Sequence, residues 1–172
     1  MKIKLVIVLC LAFVAAFGVR SAALAADDIA AHASCENCGM DRKAFGYSRM
    51  LLRFADGSET GVCSLNCAVI EMDKHPEKTV KALLVADRDS RGLVEASKAV
   101  WVMGGDKRGV MTKRPKWAFA EQAIAEKFVK EHGGKLVDWD TVLAAAREDA
   151  QLHKGHAGHM EHPGEMHHGE NH

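Results

Sequence analysis

Two closely spaced pairs of cysteines constrain the fold of this chain more than any other feature of its 172 residues. Residues 35–40 read Cys-Glu-Asn-Cys-Gly-Met, and a second pair follows as Cys63-x-x-x-Cys67. The glycine lets the backbone turn tightly, so Met40 can fold back toward the first two sulfurs. Soft sulfur ligands select copper(I), zinc or iron–sulfur clusters over magnesium or calcium. The pattern therefore predicts a metal site.

The first 25 residues are expected to be a secretory signal peptide. Lys2 and Lys4 precede an apolar run over 5–19, and Ala23-Leu-Ala25 matches the small-x-small cleavage pattern. The run is shorter than the roughly 20 apolar residues of a membrane anchor. We therefore expect a periplasmic or otherwise exported chain that keeps no stable membrane anchor after cleavage.

The charge balance gives no reason to expect a nucleic acid or an anionic membrane as partner. The full chain has 23 basic and 23 acidic residues. Removing the signal peptide takes away Lys2, Lys4 and Arg20, which leaves 20 positive against 23 negative charges, a net of −3. Binding to phosphate backbones or anionic lipids needs an excess of positive charge.

Composition divides the mature chain into three parts. Residues 26–34 are small and polar and are expected to form a flexible lead-in. Residues 35–148 are expected to form one metal-binding domain. Residues 149–172 are expected to form a disordered tail, because the segment from His153 has no branched aliphatic or aromatic residue to bury.

Apolar patterning inside the domain predicts the order β-β-α-β twice. Ser64 is the expected N-cap of the first helix. The sequence predicts strands over 47–54, 59–63 and 79–86 with a helix from Ser64 to 74, then strands over 99–103, 116–119 and 136–137 with a helix over 120–132, and a last helix over 139–147. The predicted fold class is α+β, with two small β-β-α-β units in one compact domain.

Cys35, Cys38 and Met40 are the predicted core of a Cu(I) site. Thioether ligation favours Cu(I) over zinc, whose usual ligands are thiolate, imidazole or carboxylate. A thioether also keeps its affinity where thiols are oxidised, as in exported proteins. Met111 lies in a loop after Gly109, and is the predicted further ligand because a loop is free to close over a metal.

Cys63 and Cys67 leave several alternatives open. Their i, i+4 spacing at the start of a predicted helix puts both sulfurs on one face. With Cys35 and Cys38 they can complete a structural four-thiolate zinc site. They can also form one or two disulfides, as an even number of cysteines in an exported chain allows.

The histidines of the tail predict a chelating arm. Neutral imidazoles suit Cu(II), Zn(II) and Ni(II), and interspersed glycines argue against a helix. Copper(II) or zinc is therefore expected at these secondary sites. The tail histidines are His153, His156, His159, His162, His167, His168 and His172.

No motif predicts an enzyme. The chain has no glycine-rich phosphate loop, no Gly-x-Ser-x-Gly and no His-Glu-x-x-His. A Cys-x-x-Cys pair can serve dithiol exchange, so a thiol oxidoreductase or a lyase remains a weaker alternative.

Several motifs together resemble the NosL family of copper-binding accessory proteins of nitrous oxide reductase. The resemblance spans about residues 35–141. It rests on the segments Cys35-Glu-Asn-Cys-Gly-Met40, Phe54-Ala-Asp-Gly57, Trp101-Val-Met-Gly-Gly105, Gly109-Val-Met111, Ala118-Phe-Ala120, Ala125-Glu-Lys-Phe128 and His132-Gly-Gly134.

The resemblance implies an α+β chaperone that delivers Cu(I) to a periplasmic copper enzyme, or to its assembly machinery, and a distant fold relation to organomercurial lyase. Its implied ligands are Cys38, Met40 and Met111, with Cys35 nearby. The chain departs from the family in having Gly-Val-Met-Thr over 109–112 where Gly-Pro-Met-Gly is usual. Cys63 and Cys67 lie outside the family pattern and resemble the thiols of treble-clef metal modules.

Overall fold

The structure, a computed structural model, describes residues 28–157, so the predicted signal peptide over 1–25 lies outside it. Within the described residues, no helix is long and apolar enough to cross a membrane. The elements are β1 (Met50–Phe54), β2 (Glu59–Val62), α1 (Leu65–Lys74), β3 (Val80–Ala86), β4 (Leu93–Glu95), β5 (Val100–Met103), β6 (Lys116–Phe119), α2 (Gln122–His132), β7 (Lys135–Val137) and α3 (Trp139–Ala157). They confirm the α+β class.

The two units build their sheets in the same way. The strand orders are β2-β1-β3-β4 in the first sheet and β6-β5-β7 in the second. In each unit the first strand is central, the second pairs with it as its chain neighbour, and the third returns after a helix to its other side. All of these pairings are antiparallel. The β-β-α-β repeat predicted from the sequence is therefore visible in the strand order.

Local chemistry explains the turn and the helix that position the cysteines. Asp56 Oδ1 accepts a hydrogen bond from Ser58 N at 2.8 Å, and Gly57 has a φ of +87°, which glycine adopts without steric cost. Ser64 Oγ accepts from Cys67 N at 3.3 Å, so Ser64 is the N-cap of α1, as predicted.

The main core lies between the first sheet, α1 and α3. Helix α3 packs against α1, so the last helix of the second unit closes the core of the first. Trp101 of β5 joins the same core, 5.9 Å between ring centroids from Trp139. A smaller apolar cluster under α2 contains Val102, Trp117, Phe119, Ala125 and Phe128.

A buried ion-pair network fixes α3 to β6 and to the loop before it. Asp149 accepts hydrogen bonds from Lys116 Nζ and from Thr112 Oγ1, each at 2.6 Å. Burial would raise the pKa of Asp149, but hydrogen bonds from Arg114, Lys116 and Thr112 outweigh it and hold that pKa well below its usual range. The carboxylate is therefore charged in the folded protein at neutral pH.

Two boundaries at the ends of the domain differ from prediction. The sequence predicts a flexible lead-in over 26–34, but residues 28–31 form a helical turn. Its first residue, Asp28, is buried with its carboxylate paired to Arg42 and Arg49. At the other end, α3 continues past the predicted end at Arg147 to Ala157, because Asp149 and Ala150 are buried against the domain. Residues 149–157 of the predicted tail are thus helical.

Two strand predictions were also wrong in detail. The strand predicted from Tyr47 begins at Met50, because residues 41–48 form successive turns. Strand β4 is missing from the prediction. It has only three residues and is defined by its pairing with the end of β3, from Leu84 to Ala86.

Candidate metal centre

A tight loop over 35–40 presents the first pair of cysteines. Gly39 N donates to Cys35 O, and Cys35 N donates to Met40 O, each at 2.8 Å. Gly39 has a φ of +74°, which a side chain would strain. The loop therefore turns back on itself and brings Met40 to the side of the cysteines, as the glycine predicted.

The loop is attached to the hairpin through its backbone. Glu36 N donates to Gly61 O at 3.0 Å. A side chain at position 61 would overlap His32 and Arg42, whose nearest atoms lie 2.5 and 2.6 Å from the place of a Cβ. Because Gly61 has no side chain, the loop can approach β2 closely at this point. Cys63 lies two residues after Gly61, so this approach brings Cys35 beside Cys63.

The second pair of cysteines is fixed by the end of β2 and the first turn of α1. Cys63 O accepts from Ser48 Oγ at 2.8 Å. Cys67 N donates to Oγ of Ser64, the N-cap of α1. The sulfurs of Cys63 and Cys67 therefore lie on the same side of the helix start. Both side chains are fully buried.

The structure brings all four cysteine sulfurs into one cluster. The Sγ atoms of Cys35, Cys38, Cys63 and Cys67 lie within 4.8 Å of one another. Cys38 Sγ is 3.5 Å from Cys63 Sγ and 3.8 Å from Cys67 Sγ. Cys63 and Cys67 are 3.7 Å apart at their sulfurs. None of the four forms a disulfide.

These separations are those of a cluster around a single metal ion. Four sulfurs held at about 2.3 Å from one zinc ion in a tetrahedron lie about 3.8 Å apart. The three separations among Cys38, Cys63 and Cys67 are 3.5 to 3.8 Å and need little adjustment to reach that arrangement, and Cys35 Sγ lies within 4.8 Å of the others. The sulfurs therefore form a preorganised donor set for a soft ion.

Met40 adds a fifth sulfur at the open side of the cluster. Its Sδ lies 4.0 Å from Cys63 Sγ. Cys35 is 2 % exposed and Cys63 and Cys67 are fully buried, whereas Cys38 and Met40 are half-buried and Gly39 is exposed. An ion or a competing ligand would thus reach the sulfurs past Cys38 and Met40.

Asn37 supports the cluster and was not among the predicted site residues. Its Nδ2 donates to Cys67 Sγ at 3.4 Å, and its Oδ1 accepts from Lys74 Nζ at 3.0 Å. Lys74 is held in turn by the buried Glu71 at 2.7 Å. A donor to a ligand sulfur stabilises its thiolate form. The one signal of this role in the sequence was the position of Asn37 between Cys35 and Cys38.

Buried positive charge lies behind the loop. Arg42 is fully buried and Arg49 is 1 % exposed, and the two guanidinium groups share the single carboxylate of Asp28. Burial lowers the pKa of Arg42, while Asp28 and Cys35 oppose that shift. Buried guanidinium groups close to the cluster favour thiolates there.

The sulfurs share protons with one another. Hydrogen bonds with Cys63 and Cys67 hold the pKa of Cys35 well below its ordinary value. The bond with Cys35 raises the pKa of Cys63 and raises that of Cys67 to about 12. One thiolate at Cys35 is therefore favoured, and a metal that takes more sulfurs must displace thiol protons.

Met111 lies in the loop between β5 and β6. It is half-buried against the main core and has a φ of +55°, an uncommon backbone conformation for a bulky residue. Its neighbours Val110 and Thr112 line a small internal cavity together with Ser64 and Asn66. Its role as a ligand stays a prediction.

The predicted tail ligands fall mainly beyond the structure. His153 and His156 lie in the last turns of α3. His159, His162, His167, His168 and His172 lie outside the described residues. The tail's metal binding stays a prediction.

Fold and site define an α+β protein with a soft-metal centre of four cysteines and an adjacent methionine. A family model for NosL matches residues 26–146, more than half of the chain, and the chain belongs to the NosL family. This confirms the family predicted from the motifs. A similar solved structure is the crystal structure of the copper chaperone NosL from Shewanella denitrificans, at 23 % identity and a TM-score of 0.49 over 62 % of this chain and 87 % of that one. No curated protein matches the chain.

Proposed function

We propose that this protein is an exported copper chaperone that holds Cu(I) at the sulfur cluster and passes it to a periplasmic copper enzyme such as nitrous oxide reductase. Membership of the NosL family supports copper handling rather than catalysis. The observation that carries the proposal is the convergence of Met40 Sδ with the cysteine sulfurs, 4.0 Å from Cys63. A thioether beside thiolates is a donor set that suits Cu(I).

Transfer of the ion would proceed by ligand exchange at the open side. A sulfur donor of the client would bind next to Cys38 and Met40, the half-buried members of the set, before the buried cysteines release the ion. The tail histidines would collect ions near the site, because tethering raises their local concentration. No organic substrate is turned over.

Anaerobic Cu(I) titration of residues 26–172 against a competing chelator tests the proposal. We expect one tight Cu(I) site that survives removal of residues 158–172, since the truncated chain retains α3 to Ala157. X-ray absorption spectra of the loaded protein should show sulfur neighbours. Spectra with only nitrogen and oxygen neighbours would contradict the proposed site.

A structural zinc site at Cys35, Cys38, Cys63 and Cys67 is the second candidate function. It is favoured by separations of 3.5 to 3.8 Å among the sulfurs of Cys38, Cys63 and Cys67, close to the tetrahedral spacing around zinc, with Cys35 Sγ within 4.8 Å of them. Metal analysis of the purified protein separates the two candidates. One tightly held zinc per chain, with no uptake of Cu(I), would support the zinc site and exclude the chaperone.

A further inference from the structure

A cleft of about 410 Å³ lies away from the sulfur cluster and shares no lining residue with it. Its walls come from both units. The turn between β3 and β4 contributes Arg88 and Arg91, and the loop between β5 and β6 contributes Lys107 and Arg108. Such a volume is within the roughly 300–1,000 Å³ of small-molecule sites.

Positive charge in the cleft exceeds what its own acidic group can balance. Asp89 is the acidic residue in its lining, and it pairs with Arg88 Nη1 at 2.5 Å. Within residues 28–157, no carboxylate forms an ion pair with Arg91, Lys107 or Arg108. The whole chain has a formal net charge of zero, so the excess is local. Concave sites lined by one sign of charge concentrate ions of the opposite sign.

Two hydrogen-bond donors at the wall of the cleft also lack acceptors. Trp117 is 4 % exposed, and the Arg88 guanidinium lies 5.6 Å from the centroid of its ring. Trp117 Nε1 and Arg88 Nε are both buried without a hydrogen-bond partner. Buried donors are paired in the great majority of cases, so two neighbouring unpaired donors indicate that an acceptor belongs here.

We propose that this cleft binds a small oxyanion with at least two negative charges, either a phosphate or sulfate or an organic dicarboxylate. Arg91, Lys107 and Arg108 would balance its charge. Arg88, whose guanidinium lies 4.6 Å from the ring centroid of Phe128 and 5.6 Å from that of Trp117, would turn from these rings and present its Nε–H to an acceptor oxygen. The aromatic rings of Tyr47 and Trp117 would enclose the ligand. Convergence of cations from separate segments on one concave site favours a compact anion over an extended acidic peptide.

The test is an NMR titration of residues 26–172, carrying the metal they hold on purification, with sulfate, inorganic phosphate and succinate at low ionic strength. The reporter is the indole N–H signal of Trp117, assigned by its loss in Trp117→Phe. We expect a saturable shift with at least one anion. The double variant Lys107→Gln/Arg108→Gln should bind it at least about tenfold more weakly, because each charged hydrogen bond is worth about that factor.

Lys113→Gln is the matched control, since Lys113 is exposed in the same loop and does not line the cleft. It should change the affinity less than about twofold, as expected for a screened surface charge. Absence of a saturable shift with all three anions would overturn the proposal, as would equal weakening by Lys113→Gln. Tighter binding of a polyglutamate peptide than of any small anion would also overturn it, in favour of an acidic protein partner.

Discussion

Cys38 Sγ lies 3.5 Å from Cys63 Sγ, although one belongs to the loop before the hairpin and the other follows β2. This contact exists only when the hairpin has formed and the loop has docked on Gly61. A metal that bridges the two sulfurs therefore stabilises the fold of the first unit, because a ligand that binds only the native state adds to its stability.

Replacement of Cys67 by serine should separate zinc from copper binding. Zinc in structural sites takes four ligands, so Cys67→Ser is expected to weaken zinc binding by at least about tenfold. Cu(I) is satisfied by fewer sulfurs, and Cys35, Cys38 and Met40 remain. Competition titrations with both ions measure the two affinities. Equal losses for zinc and Cu(I) would show that both ions need the full set of cysteines.

Replacement of Met40 by leucine should weaken Cu(I) binding and leave zinc binding unchanged, the opposite of the pattern expected for Cys67→Ser. Met40 Sδ lies beside the cysteine sulfurs, and leucine has similar volume without a donor atom. We expect Cu(I) affinity to fall by at least about tenfold while zinc content stays unchanged. Met72→Leu is the control, because Met72 is half-buried in α1 and packs on the core. An unchanged Cu(I) affinity in Met40→Leu would remove Met40 from the site.

Loss of Arg42 should destabilise the loop and the domain together. Its guanidinium donates to Asp28 Oδ2, to Met50 O and to Val62 O, and all three hydrogen bonds are lost in Arg42→Met. We expect a loss of about 3–5 kcal/mol in the free energy of unfolding, as for other broken buried pairs. Urea denaturation measures it.

Arg53→Met provides the comparison for Arg42. Arg53 pairs with Glu59 at the surface, and their side chains are 44 % and 35 % exposed. Exposed pairs contribute about 0–1 kcal/mol, so this variant should unfold close to the wild type. Similar losses in the two variants would contradict the role assigned to the buried guanidinium.

The stability supplied by Asp149 should depend on pH. Its pKa is lowered in the folded state, so its contribution is fully present above the unfolded value, about 3.9. It is lost as the pH falls below that value toward the folded pKa. Asp149→Asn should therefore destabilise the protein by about 3 kcal/mol at pH 7, and the difference from wild type should shrink below about pH 4.

Glu148→Gln is the neighbouring control for Asp149. Glu148 pairs with the same Arg114 but is 67 % exposed, so its replacement should change stability by less than about 1 kcal/mol. Unfolding curves of the wild type, Asp149→Asn and Glu148→Gln, recorded between pH 7 and pH 3, measure these differences in stability. A difference between Asp149→Asn and wild type that stays constant down to pH 3 would contradict the buried network.

Most of the secondary structure follows from local signals in the sequence. Strand β6 has the predicted bounds, and Ser64 caps α1 because its side chain supplies an acceptor to the first N–H groups of the helix, which have none within it. Strand β4 could not be found, since it depends on pairing with β3 more than on its own three residues. The extension of α3 depends on burial of Asp149 beside Lys116, a contact made across the fold.

The cysteines of the cluster and Met40 were identified from the sequence, and their grouping into one cluster was one of the alternatives left open. Spacing identified both cysteine pairs and Met40, while the choice between one four-sulfur cluster and separate sites depended on how the hairpin returns. The sequence did not predict the burial of Arg42, Arg49 and Asp28, because charged residues are almost never fully buried unless paired. Their pairing is fixed by tertiary structure, and no local pattern reveals it.

The buried carboxylate of Asp28 makes the segment before the first cysteine pair a part of the folded structure. A chain that began at Ile29 would lose the carboxylate that the guanidinium groups of Arg42 and Arg49 share. It would also lose two of the hydrogen bonds that hold Arg42 in place behind the loop of the first two cysteines. Residues well before Cys35 thus contribute to the packing on which the sulfur cluster rests.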